Sequence, residues 1–577
     1  MHNYLETMCR AVKPYEHNPE LIERQLVTER LDKWRFHFIR EAAELSALEC
    51  FLYDWTGDVQ RLNVAREALN ACIRFVESHP YWPLVSRENH PLCFFSLWPA
   101  ATAFEKLKGL SVLDPDEERR LARLIAESCD FYVYGAQQIG AHNRAMLAAC
   151  GLRKAATILS NYSRAGKWLE FARRLAKINF CEGTEEDATG YNALWLLYAT
   201  IWAEEEGENL FAMPWYREIL DTLVDAVMPD GSYAHWGDAG WGQGWGALVA
   251  VLERAATAYR SPYYRYIAET VYDWGTRRQL SVADAYYLSF AYRWLSSVNP
   301  LPPPAEPRLH PTKAVLRAGL NSVMILSTLN GGGHGHYDGG AINVLYVNGV
   351  LLHDSGYPEA DSRFHNMVTV IPGRLSWGEF FTIEPKSNYP DTRYYPVVMH
   401  FRRLFIVEAL EKNGRVAYCS IYTPFHHGTE FRRKAILAEG LGAVVVDEVG
   451  LRSRGITVTA ASVFHARDVR RSGKALLLKP KLPGGRPAIL ASPDSFEPVS
   501  FSWMTGEYRT ASCKKTLDDE QPREVFVAYI APAREKTPVV NVSRDGEWLR
   551  VEVESGRSKL SIRTRMWSCK TSYVLTG

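Results

Sequence analysis

From the N-terminus to about residue 298, apolar positions recur every three or four residues. Trp34, Phe38, Ala42, Leu45, Leu48 and Leu52 form one such stripe, the spacing of a helix with a single buried face. Asp114-Pro115-Asp116-Glu117-Glu118 reads as a helix start, with Asp as N-cap, Pro at the first helical position and acids in the first turn. Leu121, Leu124 and Ile125 then face a core. Residues 215–228 repeat the pattern and stop at Pro229-Asp230-Gly231-Ser232, a turn signal. Segments near 60–79, 142–160, 165–178, 191–205, 243–258 and 262–275 are also helix-like. Many antiparallel helices of similar length, with no crisp repeat, predict stacked hairpins in an α-solenoid or an α/α toroid.

Residues 299–307 then hold five prolines in nine positions, which no helix tolerates, and predict a stiff linker over 299–310. Beyond it the period changes. Residues 323–329, 342–347, 350–353, 443–449, 456–460 and 524–530 are short runs rich in Val, Ile and aromatics, separated by Gly, Pro, Asn and Asp. They predict antiparallel β structure, a sandwich of many strands. The expected organisation is therefore α+β: a helical domain over 1–298, the linker over 299–310, and an antiparallel β-sandwich domain over 311–577.

Composition narrows this picture in few places. The net charge of +1 predicts neither a nucleic-acid-binding tail nor a membrane-binding face, though a cleft can still concentrate charge for an anionic ligand. Aromatics are plentiful, with 17 Trp, 30 Tyr and 23 Phe, which suits sugar stacking and equally suits large buried helices. The ten cysteines are scattered and form no CxxC, so reduced thiols and a cytoplasmic setting are expected. No apolar leader or membrane-length run is visible; a secreted or periplasmic setting would require a leader ahead of this sequence. Oligomeric state is not legible.

Candidate chemistry concentrates in Gly331-Gly-Gly-His-Gly-His-Tyr-Asp-Gly-Gly340 and in the residues just after it. Two apolar runs flank Asn348-Gly349, the strongest short hairpin signal. With a two-residue turn, Val347 faces Val350 and Asn343 faces Asp354. The glycine-histidine loop and Asp354 then emerge at one end, with Ser355-Gly-Tyr357 beyond, and Arg363, His365 and Asn366 some ten residues on. This gathers His334, His336, Asp338, Asp354, Tyr357 and His365, an N/O donor set suited to a divalent metal such as zinc or manganese. The plainer alternative is a polar loop with solvated histidines.

Three places in the helical half also carry chemistry. Gly140-Ala-His142-Asn143-Arg144 opens a helix, where free N–H groups favour anions, although a cap with a solvated Arg explains the same residues. Cys181-Glu-Gly-Thr-Glu-Glu-Asp-Ala-Thr-Gly190-Tyr191 opens another; capping accounts for its acids better than for Tyr191. The glycine and tryptophan stretch over 230–245, with Trp236, Asp238 and Trp241, offers a sugar-binding wall or an ordered loop packed on its own indoles.

In this order — Asn143, Gly190-Tyr191, Gly237-Asp238, His334-Gly-His336-Tyr-Asp338, Asp354-Ser-Gly-Tyr357 and Arg363-Phe-His365-Asn366 — the chain resembles the heparinase II/III-like polysaccharide lyases. The resemblance implies an N-terminal (α/α) toroid of helical hairpins followed by a C-terminal antiparallel β-sandwich. It also implies β-eliminative cleavage of uronic-acid-containing polysaccharides. In that chemistry the uronate carboxylate must be neutralised so that charge developing at C5 is held, a base must take the C5 proton, and an acid must protonate the departing oxygen. The resemblance gives the first task to Asn143 with His334, the proton transfers to Tyr191, and a second tyrosine position to Tyr357. It assigns His336, Asp354 and His365 to a metal site that shapes the cleft. His142, Arg144, Trp236, Asp238, Trp241 and Arg363 are the candidates for substrate binding. Relatives often carry Asn followed by His where this chain has His142-Asn143.

The expected partner is an anionic oligo- or polysaccharide, first a glycosaminoglycan and second alginate. A uronate C5-epimerase would share the proton abstraction. A glycoside hydrolase would need paired carboxylates, for which Glu185, Glu186, Asp187 and Asp238 are candidates. A non-catalytic glycan-binding protein would keep the aromatics and have little use for the Tyr, Asn and His set.

Overall fold

The structure, a computed structural model, describes residues 3–28, 39–79, 92–135, 138–184, 186–330, 335–336, 338–354, 362–382, 403–426, 429–482, 484–503, 506–534 and 538–576. Trp34 and Phe38, with Glu185, His334 and Tyr357, lie outside these residues. The chain forms two compact units. One comprises residues 1–186, 190–224 and 244–302; the other comprises 187–189, 225–243 and 303–577.

The first unit is helical, in two kinds of helix. Asn143–Ile158 and Trp245–Tyr259 are buried on nearly every side, whereas Pro115–Tyr134, Ala165–Glu182 and Pro262–Thr276 are amphipathic. An all-round apolar helix must lie inside a layer and an amphipathic one outside it. The expected start at Asp114 is present as a full capping box, with Pro115 in the first turn and Glu117 returning to the Asp114 N–H. The first helix, Tyr4–His17, packs against the last, Val282–Arg293. The Tyr4 hydroxyl donates to Glu253 at 2.5 Å and Thr7 shares a 2.7 Å hydrogen bond with Tyr272. The helical layer thereby closes on itself, the arrangement of an α/α toroid.

The second unit is antiparallel β. A five-stranded sheet runs Arg308–Leu309, Lys313–Arg317, Ser322–Ser327, Ile342–Val347, Val350–His353 in spatial order. A four-stranded sheet contains Val368–Pro372, Val458–Ala466, Gly506–Leu517 and Glu497–Trp503, and an eight-stranded sheet has Gly442–Leu451 near its centre. Alternation along that central strand shows the layering. Ala443 and Val445 enter a core shared with the five- and four-stranded sheets, while Val444 and Val446 enter a second core with the C-terminal meander Val539–Thr576. A sheet covered on both faces explains why this strand reads as a continuous apolar run.

The hairpin departs from the expected register. Val344 pairs with His353 and Leu345 with Leu352, but a bulge follows and Tyr346, not Val347, pairs with Val350. The reason is tertiary: the Asn348 N–H donates to the Asn321 carbonyl at 2.9 Å and Arg486 donates to the Asn348 carbonyl at 3.2 Å, which pulls the turn out of the two-residue geometry.

Candidate active site

In the helical unit, two helix starts are tied together. Helix Asn143–Ile158 is capped by His142, whose Nδ1 accepts from the Ala145 N–H at 3.2 Å. The Glu186 carboxylate accepts from the Asn143 N–H at 3.2 Å, and the Glu186 carbonyl accepts from the Asn192 amide at 3.3 Å, one residue past Tyr191. A second tie runs through Asn179, which donates to the Gly140 carbonyl at 3.0 Å and accepts from Trp195 Nε1 at 2.8 Å. The start of the next inner helix closes in as well. A Cβ on Gly244 would stand 3.1 Å from the Gly190 carbonyl, and its φ of +76° suits glycine alone. Asn143 is fully buried, yet neither its Oδ1 nor its Nδ2 has a hydrogen-bond partner among the described residues. A buried amide without partners carries a desolvation cost of about 1–3 kcal/mol per group. Tyr191 is half-buried, and the Arg144 guanidinium lies 5.2 Å from the centre of the Phe94 ring.

In the β unit the hairpin gathers a second set. Asn343 donates to Asp338 at 2.8 Å and to Asp354 at 3.1 Å, so the cross-strand pairing expected of Asn343 and Asp354 is realised as a side-chain hydrogen bond. His365 Nδ1 lies 3.0 Å from Asp354 Oδ2, and His336 Nε2 lies 2.8 Å from Asp238 Oδ1. The rings of His336 and His365 stand 5.1 Å apart. His336, Asp354 and His365, all buried, each offer one ligand atom, and these atoms lie within 4.8 Å of one another. The donor set fits a small divalent cation. His336 Nδ1 is buried with no partner among the described residues, while its other nitrogen is oriented by a carboxylate, the usual arrangement of a ligating histidine.

Electrostatics agree with a concentrated site. Burial alone would raise the Asp354 carboxyl, but His365, then His336 and His235, hold it well below the ordinary carboxylate range. Asp338 moves the other way, raised by burial that Lys313 and His365 only partly oppose. Burial lowers His235, and pushes His353 down to about 3, so both rings are neutral near pH 7. The His235 and His353 rings are 5.7 Å apart and both border Trp241. Trp236 is buried with the Lys313 ammonium 5.1 Å from its ring, and Lys313 is itself held by Asp187 at 3.0 Å.

Two buried residues hold this set in place: Arg433, which sequence reading did not single out, and Asn366, which it named without a role. Arg433 makes a bidentate pair with Asp447 at 2.7 and 2.8 Å, and its remaining nitrogen donates to the carbonyls of Gly340 and Asn366. The Asn366 amide donates to the Ile342 and His353 carbonyls, and its oxygen accepts from the His465 N–H. The segments carrying Asp338, Asp354 and His365 are thus pinned to one another from below.

Among solved structures, a heparinase III structure matches at a TM-score of 0.57 and 13% identity, over 90% of this chain and 83% of that one. Another heparinase III structure matches at 0.58 and 12%, over 92% and 81%. The heparan sulfate lyase HepC from Pedobacter heparinus matches at 0.53 and 13%, over 93% and 82%. The fold is that of heparinase III. No family model and no curated protein matches the chain. On the heparinase III fold, the residues read from sequence divide between the two units. Asn143 and Tyr191, with His142 and Arg144, belong to the helical one. Trp236, Asp238, Trp241, His336, Asp354, Arg363 and His365 belong to the other. Arg363 is buried there and donates to the Phe380 carbonyl at 3.1 Å. Among the described residues, no helix is long and apolar enough to cross a membrane.

Proposed function

We propose that this protein is a polysaccharide lyase that cleaves uronate-containing glycans, glycosaminoglycans first, by β-elimination. The observation that carries the reading is Asn143. A fully buried amide with neither atom bonded among the described residues, at a helix start joined to that of Tyr191, is a group reserved for a ligand. The likeness of fold to heparinase III structures and to a heparan sulfate lyase supports the same reaction class.

The Asn143 amide donates to the uronate carboxylate, so that negative charge arriving at C5 spreads into it. His334 shares this task. Tyr191 works at the proton: its phenolate takes the C5 proton, or its phenol gives one to the glycosidic oxygen as the C4–O bond breaks and the C4–C5 double bond forms. Tyr357 stands as the second proton-handling group. His142, Arg144, Trp236, Asp238, Trp241 and Arg363 are the residues assigned to substrate binding. His336, Asp354 and His365 would hold a divalent cation, zinc or manganese, in a structural or cleft-shaping role, with His336 oriented by Asp238.

Asn143→Ala tests the reading. The variant is expected to fold, because the side chain gives up no hydrogen bond to a described residue, and to lose about 10²–10³ in kcat on the best uronate polymer. Turnover within about twofold of the parent would remove Asn143 from the reaction.

A further inference from the structure

The near-neutrality of the chain, 67 Lys and Arg against 66 Asp and Glu, hides one local imbalance. Residues 467–486 hold seven Lys and Arg, a single acid, Asp468, and no aromatic residue. Asp468–Ser472 is an edge strand of the eight-stranded sheet, and Ala475–Lys479 pairs with it across a two-residue turn. Val469, Leu476 and Leu478 anchor this hairpin in the core. Arg467, Arg470, Arg471, Lys474, Lys479 and Arg486 are all exposed. Arg467 and Lys479 stand at one end, where the Arg467 N–H donates to the Lys479 carbonyl at 2.7 Å. Lys474 stands at the other end, in the turn, about 17 Å away along the strands.

These charges are not neutralised. Asp468 is shared by Arg470 at 2.6 Å and Arg509 at 2.9 Å, and Arg467, Arg471, Lys474 and Lys479 form no ion pair with a described residue. Exposed cations of the helical unit are paired with acids, as in Arg119 with Asp116, Arg123 with Glu127 and Lys167 with Glu170. An edge strand carries charge to prevent pairing with another chain, but that need ends with the strand. Here the cations continue through the turn at Lys474 and into the following loop at Lys481 and Arg486. Lys481 brings them to the candidate site. Its ammonium lies 4.3 Å from the centre of the Tyr508 ring, and that ring lies 5.0 Å from Phe364, the residue between Arg363 and His365.

We propose that this hairpin and loop form a track for an anionic glycan chain, holding sugars beyond those that react. The inference rests on the lyase reading for the identity of the anion, a uronate carboxylate or a sulfate. The Arg467 and Arg471 guanidiniums offer forked donors to the oxygens of such groups. Cations spread over about 17 Å suit a run of negative charges rather than one small anion. The lack of any aromatic side chain leaves nucleic-acid bases no stacking platform and a bilayer no aromatic anchor.

The test is fluorescence anisotropy of labelled heparan sulfate chains with the full chain, in the cold and over a series of salt concentrations. One variant combines Arg471→Gln, Lys474→Gln and Lys479→Gln, all exposed, and is expected to fold. A control combines Arg119→Gln, Arg123→Gln and Lys167→Gln and removes the same charge from the helical unit. Kd should rise about tenfold or more in the first variant, with a shallower salt dependence, and stay within about twofold in the control. On a cleaved polymer KM should rise by a similar factor at unchanged kcat, and on the shortest cleaved oligosaccharide neither should move. Polymer binding unchanged in the first variant, equal weakening in the control, or tighter binding of duplex DNA or phosphatidylserine vesicles through the same residues would each overturn the proposal. Binding is read without turnover, so a failure of the lyase reading, no C4–C5 double bond on any polymer, is told apart from a failure of the track.

Discussion

At the level of single residues, the proposed roles can be tested one side chain at a time. Tyr191→Phe deletes one hydroxyl from a half-buried ring and should leave thermal unfolding unchanged, while turnover falls about 10²–10⁴-fold, the usual worth of a positioned acid or base. Parent-level turnover would end its role. His336→Ala removes one of three clustered ligand atoms. Bound divalent metal, read by elemental analysis of the purified protein, should fall together with the melting temperature; unchanged metal content would contradict the ligand set. Sequence spacing was enough to bring His336, Asp354 and His365 together, because a hairpin and one short connection do the gathering. It could not show that Asp238 orients His336, since that hydrogen bond joins residues 98 positions apart. Nor could it decide between His142 and Asn143. The structure gives His142 a capping bond and leaves the Asn143 amide unbonded among the described residues.

At the level of helices and strands, the site depends on how strands are clamped from beneath. Arg433→Met leaves the Asp447 carboxylate buried without its partner and frees the Gly340 and Asn366 carbonyls. A loss of about 3–5 kcal/mol in urea denaturation is expected, the usual penalty for breaking a buried pair from one side. A loss below about 1 kcal/mol would show that the clamp is dispensable. The elements themselves were largely legible. The capping box at Asp114, the Asn348-Gly349 turn and the apolar run of Gly442–Leu451 are local signals, and each is present in the structure. The bulge was not legible, because Asn321 and Arg486 impose it from outside the hairpin. The Arg433 clamp was hidden for the same reason: an Arg in a strand reads as a solvated face until the sheet that covers it is known.

Over the full chain, the change of period near residue 299 separates helical from β structure. Period reports the kind of element and not its neighbours, so nothing in the sequence showed residues 187–189 and 225–243 clustering with the second unit. Buried histidines give this chain an acid sensitivity. Burial, with a smaller contribution from Lys481, pushes His465 down to about 3, and burial with His235 does the same to His353. Their unfolded value is about 6.5, so between there and about pH 3 the unfolded chain takes up protons that the folded chain refuses. Each of these histidines therefore withdraws about 1.4 kcal/mol of stability per pH unit as pH drops through that window, while the buried Glu44 and Glu49 carboxyls, pushed up to about 7 by burial, act in the opposite sense. Urea midpoints at pH 7 and pH 5 isolate the histidine contribution by comparison: His465→Gln should lose less stability, or gain more, than the parent on going to pH 5, and an identical difference in parent and variant would refute the assignment. The reaction class, on which every assigned role depends, is tested by ultraviolet absorbance during incubation with heparan sulfate, chondroitin sulfate, hyaluronan and alginate. β-Elimination predicts a rise on at least one of these polymers, from the C4–C5 double bond conjugated to the uronate carboxylate. New reducing ends without that rise would mean hydrolysis and would contradict it.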